Sequence, residues 1–145
     1  MCHSISVVLL WAAIPAAALG CHSPSAPASS VSLGLIDPGG IPGSVSLIVP
    51  TTATVGVPAS VRVTTWGSST CTQPDTTIIR VTGLVADITV YDRYAPPGTV
   101  CTLDLRGFPR DLTVTFFSTG EATVNLHGRS ATGPTTLTAT LTVGS

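Results

Sequence analysis

Lysine is absent from this 145-residue chain, and its six basic residues are arginines scattered from Arg62 to Arg129. Without a basic block or stripe there is nothing to collect phosphates, which argues against nucleic-acid binding. Charge of either sign is scarce, at 9% of residues with a net charge of −1. Histidine occurs three times, as His3, His22 and His127, and no His/Cys spacing resembles a zinc site. There is no G-x-S-x-G elbow, and beyond residue 43 no second histidine to serve as a base. Near the N-terminus the longest uncharged apolar run, Ile5 to Leu19, is fifteen residues, short of the roughly 20 a transmembrane helix needs. An enzyme is therefore not expected, and neither is a metal or other cofactor.

What the chain does contain is Thr, Val, Ser, Gly and Pro, which dominate after the first forty residues. β-Branched side chains suit a pleated surface, while Pro and Gly interrupt helices, so this mixture favours strands and turns.

The run ISVVLLWAAIPAAAL has the length of a signal-peptide apolar region. It leads into Ala18-Leu19-Gly20-Cys21 and then HSPSAPASS. These four residues resemble the lipobox of bacterial lipoproteins, in which small residues precede a cysteine. The resemblance implies that residues 1–20 are a signal peptide removed by cleavage. Cys21 would then be the lipidated first residue, holding the protein to a membrane through its N-terminal lipid. In such lipoproteins an Asp after the cysteine favours inner-membrane retention; His22 stands here, which points to the outer membrane. The competing readings are cleavage after Ala16-Ala17-Ala18, giving a secreted protein, and an uncleaved anchor.

Cysteine arithmetic agrees with lipidation. Cys2 leaves with the signal peptide and Cys21 is acylated, so Cys71 and Cys101 remain, an even number suited to one disulfide in an oxidising compartment.

Residues 21–43 read as a tether rich in Ser, Pro, Ala and Gly. Little in them can be buried to offset chain entropy, and a flexible coil of this length spans roughly 25 Å. Val31, Leu33, Leu35 and Ile36 are the exceptions, placed either to dock onto the domain or to add an early strand.

From Ser44 the hydrophobic period becomes two. Val45, Leu47 and Val49 share a face, as do Val61, Val63 and Thr65; Ile88 and Val90 alternate with Thr89 and Tyr91. Leu112, Val114 and Phe116 form another inner set, followed after a Ser-Thr-Gly turn by Ala122, Val124 and Leu126. Leu137, Ala139, Leu141 and Val143 close the series, opposite Thr136 to Thr142. About seven such strands predict an all-β, two-layer sandwich over residues 44–145. The segments VGVPASVRVTTW, GEATVNLHG and TTLTATLTV resemble those of an immunoglobulin-like bacterial domain, which implies an antiparallel two-sheet sandwich and no particular activity. The resemblance is not to the antibody type, whose disulfide crosses the core. Here the cysteines are thirty residues apart and Trp66 precedes the first, so the bridge is expected to tie the loop after the second strand to the loop after the fourth.

The region richest in chemistry is YDRYAPPGTVCTLDLRGFPR, residues 91–110. With Trp66 it gathers Tyr91, Arg93, Tyr94, Arg106, Phe108 and Arg110, the aromatic and arginine types enriched at binding hot spots. A disulfide and Pro96-Pro97 would stiffen it and lower the entropy cost of binding. The expected function is a non-catalytic module binding an envelope protein or polysaccharide. The plainer alternative is a structural envelope lipoprotein, in which the aromatics plug one end of the domain and the arginines pair with Asp92, Asp104 and Asp111. His127 is expected to point outward with Thr123 and Asn125. Asp87, Asp92 and Asp104 could converge near the disulfide and hold Ca²⁺ through oxygen ligands, but no calcium-loop spacing is present, and solvated or turn-capping roles are expected instead.

Overall fold

A computed structural model describes residues 27–41 and 43–145. The expected signal peptide, Cys21 and the first residues of the expected tether lie outside them. Among the described residues there is no α-helix and there are ten strands: β1 Ser30–Leu33, β2 Leu35–Asp37, β3 Leu47–Ile48, β4 Thr52–Thr54, β5 Ala59–Gly67, β6 Thr72–Thr82, β7 Val85–Tyr94, β8 Arg106–Val114, β9 Gly120–Ser130 and β10 Gly133–Gly144. The all-β class read from alternation is therefore observed.

The strands form one mixed, unclosed sheet that branches. In one arm, β6 pairs with β7, β7 with β9, β9 with β10 and β10 with β4. In the other, β5 lies between β8 on one side and β3 on the other. β2 joins the arms, pairing with β9 and, at Leu35↔Trp66, with β5. The wholly antiparallel arrangement expected from the sequence does not form: β7 runs parallel to β9, β4 to β10 and β2 to β9. The reason for the first lies in the connection. After β7 the chain crosses to the other arm as β8 and returns as β9, so β7 and β9 point the same way.

The strict alternation of the long strands places one side chain in two inside. Val61 and Val63 of β5, Ile88 and Val90 of β7, Val114 of β8, Val124 and Leu126 of β9, and Leu141 and Val143 of β10 form one buried cluster with Phe116. Burying each aliphatic side chain contributes about 1.5–3 kcal/mol before entropy is counted. Alternation fails at the first predicted strand. Leu47 and Val49 pack against the core, but Val45 is exposed and Ser46 is buried instead. With β3 only two residues long, too little ladder exists to hold residue 45 in phase.

Within the segment read as a tether an early strand forms, one of the two outcomes open to Val31, Leu33, Leu35 and Ile36. Residues 30–33 and 35–37 are strands, and Ile36 is in the core. β1 lies beside the second half of β7, pairing Leu33 with Tyr91 and Ser30 with Tyr94, just where β9 has left it at Thr89. The kink between β1 and β2 falls on Gly34, whose N–H donates to Val90 O at 2.9 Å and whose carbonyl accepts from Arg129 N at 2.9 Å. A Cβ there would lie 2.5 Å from Thr65 Cγ2 and 2.9 Å from Asp92 Oδ2. Only glycine lets the backbone approach so closely.

Candidate functional site

The sequence-predicted constellation divides into three places. Residues 91–110 are not one long loop: Tyr91 to Tyr94 end β7, Arg106 to Arg110 begin β8, and only residues 95–105 between them are irregular. Cys101 lies in that segment and is bonded to Cys71, in the turn just before β6, with 5.5 Å between the Cα atoms. The bridge therefore joins the loops expected of it.

Beside the disulfide is a knot of short polar side chains. Thr102 Oγ1 lies within hydrogen-bond distance of Ser68, Ser69 and Thr70 hydroxyls, and donates to Asp104 Oδ1. Ser69 N also donates to Asp104 Oδ1, at 3.1 Å. These donors, Thr102 first, hold the Asp104 carboxyl down to about 2. Asp104 thus pairs with hydroxyls rather than with an arginine. Above the knot the loop carries Val100, 94% exposed, and Leu103, fully exposed, with Leu105 and Arg106 beside them. Val100 and Leu103 carry no periodic signal, and sequence reasoning passed over them.

The second place is the interior. Arg110 points inward, its guanidinium on Asp92, which is fully buried. Thr65 Oγ1 donates to the same Asp92 oxygen at 3.0 Å. Arg110 also donates to Tyr91 O and Thr77 Oγ1, each at 3.0 Å. Burial pushes the Asp92 carboxyl up, against the opposing charge of Arg110 and the hydrogen bond from Thr65. Asp92 Oδ2 and Arg110 Nε have no partner among the described residues. This cluster links β5 and β8 of one arm to β7 of the other, which makes it a clamp rather than a ligand site. Its sequence signal was parity: Thr65 is in phase with Val61 and Val63, Asp92 with Ile88 and Val90, and Arg110 with Leu112 and Val114.

Tyr94 also turns to internal work. Its hydroxyl donates to Leu33 O at 3.4 Å and accepts from Arg129 Nη2 at 3.2 Å, while the Arg129 guanidinium lies 5.4 Å from its ring centre. Arg129, absent from the expected set, donates from Nε to Leu33 O at 3.1 Å. Together the two side chains fasten β1.

Of the remaining candidates, Tyr91, Arg93 and Trp66 are on the outside, while Phe108 shares the inward parity of Arg110. Arg93 is engaged by Asp75 at 2.6 Å, and Arg62 by Asp111 at 2.7 Å. Trp66 stays on the outer face of β5, as its parity requires. Its Nε1 donates to Ser46 Oγ at 2.8 Å, and its ring covers Gly107, where a Cβ would come within 3.2 Å of it. Phe108 is half-buried opposite Thr65. Trp66, Tyr94 and Arg110 are thus bonded within the protein, and the seven residues do not make a single surface.

Among the described residues no three His, Cys, Asp or Glu side chains come together as a metal site. Asp87 and Asp92, five positions apart on β7, point to opposite faces. Asp87 faces outward to His127, with its Oδ1 2.9 Å from Nε2, and this bond holds the Asp87 carboxyl below its ordinary range. His127 points outward as expected, but it is hydrogen-bonded rather than freely solvated.

Compared with family models, curated proteins and solved structures, the chain shows no match.

Proposed function

We propose that this protein is a non-catalytic binding module of the bacterial cell envelope, tethered to the outer membrane by lipid on Cys21. In this reading the two arms of the sheet are the layers of an immunoglobulin-like sandwich. The shared core of β5, β8, β7, β9 and β10 supports it, and the parallel pairing of β7 with β9 marks its departure from the antiparallel pattern. The disulfide agrees with an oxidising compartment. The lipobox resemblance at Ala18-Leu19-Gly20-Cys21 supplies the anchor.

The observation that carries binding is the contrast within residues 95–105. A segment pinned by Cys71–Cys101 and by the Thr102–Asp104 knot holds Val100 and Leu103 out in solvent, with Arg106 at its end. Apolar side chains on a braced loop lose little entropy when a partner covers them. Such a tip suits another envelope protein. The test is capture of partners from envelope extract by the full-length protein, repeated with Leu103→Asp plus Arg106→Ala. The double variant is expected to lose the captured protein while its unfolding midpoint stays unchanged; an unaltered capture would sink the loop as the recognition surface.

A further inference from the structure

The outer face of β6, β7 and β9 carries a shallow groove of about 490 Å³ lined by Ile78, Arg80, Asp87, Thr89, Tyr91 and His127. The registers Ile78↔Thr89, Arg80↔Asp87 and Thr89↔His127 put these side chains in adjacent rows on one face. Asp87 is fixed from one side only. Asn125 Nδ2 donates to its Oδ1 at 3.1 Å, and His127 Nε2 lies 2.9 Å from the same oxygen. Behind them, Thr138 Oγ1 donates to Asn125 Oδ1 at 3.0 Å, and Thr136 Oγ1 lies 2.9 Å from His127 Nδ1. A carboxylate can only accept, so His127 donates through Nε2, and in the neutral ring Nδ1 accepts from Thr136. Four side chains on two strands thus orient one carboxylate. Its Oδ2 takes no hydrogen bond among the described residues, and Arg80, opposite it, forms no ion pair or hydrogen bond among them either.

A surface ion pair would have closed Arg80 onto Asp87. Instead an oriented acceptor and an open guanidinium fork stand side by side, next to the Tyr91 ring and the Ile78 side chain. Supporting hydrogen bonds of this kind hold a ligand-contacting group in place. We propose that this groove binds a neutral polysaccharide. Asp87 Oδ2 accepts from one sugar hydroxyl, Arg80 donates to a neighbouring hydroxyl oxygen, and Tyr91 and Ile78 cover the ring's C–H face. One cation and one anion cancel, so the groove offers no net attraction to an acidic chain. The site is separate from residues 95–105 and does not depend on what that loop binds.

The test is calorimetric titration of the native full-length protein in detergent with cellohexaose, chitohexaose and polygalacturonate. At least one neutral hexasaccharide is expected to bind. Arg80→Ala and Asp87→Asn should each weaken it tenfold or more, Arg80→Ala without moving the unfolding midpoint. Asn125→Ala should weaken it less, through the orientation of Asp87. Leu103→Asp plus Arg106→Ala should leave it unchanged, which separates this site from the loop. Binding of neither neutral sugar, binding that survives both groove substitutions, or equal binding of polygalacturonate would overturn the proposal.

Discussion

Asp92 on β7 and Arg110 on β8 meet in the interior, where Thr65 of β5 completes the contact. A buried carboxylate is costly unless its charge is matched, and removing one partner strands the other. Asp92→Ala removes the acceptor that Arg110 and Thr65 share and leaves both buried donors unmatched, which is expected to cost about 3–5 kcal/mol, read as a lower urea midpoint at unchanged slope. Replacing the pair together, Asp92→Leu with Arg110→Met, removes both desolvation penalties. That double variant is expected to be several kcal/mol more stable than Asp92→Ala, at about the wild-type level.

Gly34→Ala tests the close approach of the β1–β2 kink. The new methyl meets Thr65 Cγ2 at 2.5 Å and Asp92 Oδ2 at 2.9 Å, so the kink must lift. A loss of about 1–3 kcal/mol is expected. Amide exchange should accelerate at Gly34 and Arg129, whose N–H groups bond across that kink, with β10 little affected.

Much of this architecture was legible in the sequence and some was not. Two-residue periodicity placed Val61, Ile88, Val114, Val124 and Leu141 inside, because a long strand cannot slip by one residue without exposing its whole apolar set. The same parity marks Thr65, Asp92 and Arg110 as inward polar residues. Their meeting was hidden because it depends on how two arms of the sheet face each other. β1 and β2 were hidden for another reason. They are short, they flank a glycine, and their partners lie some thirty to ninety residues away, as in Leu35↔Trp66, Leu33↔Tyr91 and Leu35↔Arg129. The loop was overdrawn because Pro, Gly and Arg in residues 91–110 conceal the ends of β7 and β8.

The disulfide closes thirty residues of chain. Cys71→Ser with Cys101→Ser is expected to cost about 3–4 kcal/mol on the chain-entropy account, measured by thermal or urea unfolding of the oxidised and substituted proteins. Binding through Leu103 should weaken along with it, because the loop then orders only on contact.

Acid titration separates two carboxylates by sign. Asp104, held to about 2 against an ordinary 3.8, contributes stability that is fully present above pH 3.8 and is lost as the pH falls toward 2. The stability gap between wild type and Asp104→Asn should therefore close over that interval. Asp92, raised by burial, acts oppositely: its contribution is greatest in acid and declines as the pH rises above 3.8. Chemical shifts of the two side-chain carboxyls followed through the titration check both directions.

The most direct test of the envelope-anchor account is the intact mass of the native protein from its own membrane fraction, before and after reduction. A lipid-anchored protein is expected to begin at Cys21, carry acyl mass, and gain two hydrogens when Cys71–Cys101 is reduced. An unlipidated chain beginning at Leu19 would contradict it: the protein would then be secreted, with a free thiol at Cys21 in place of a membrane anchor.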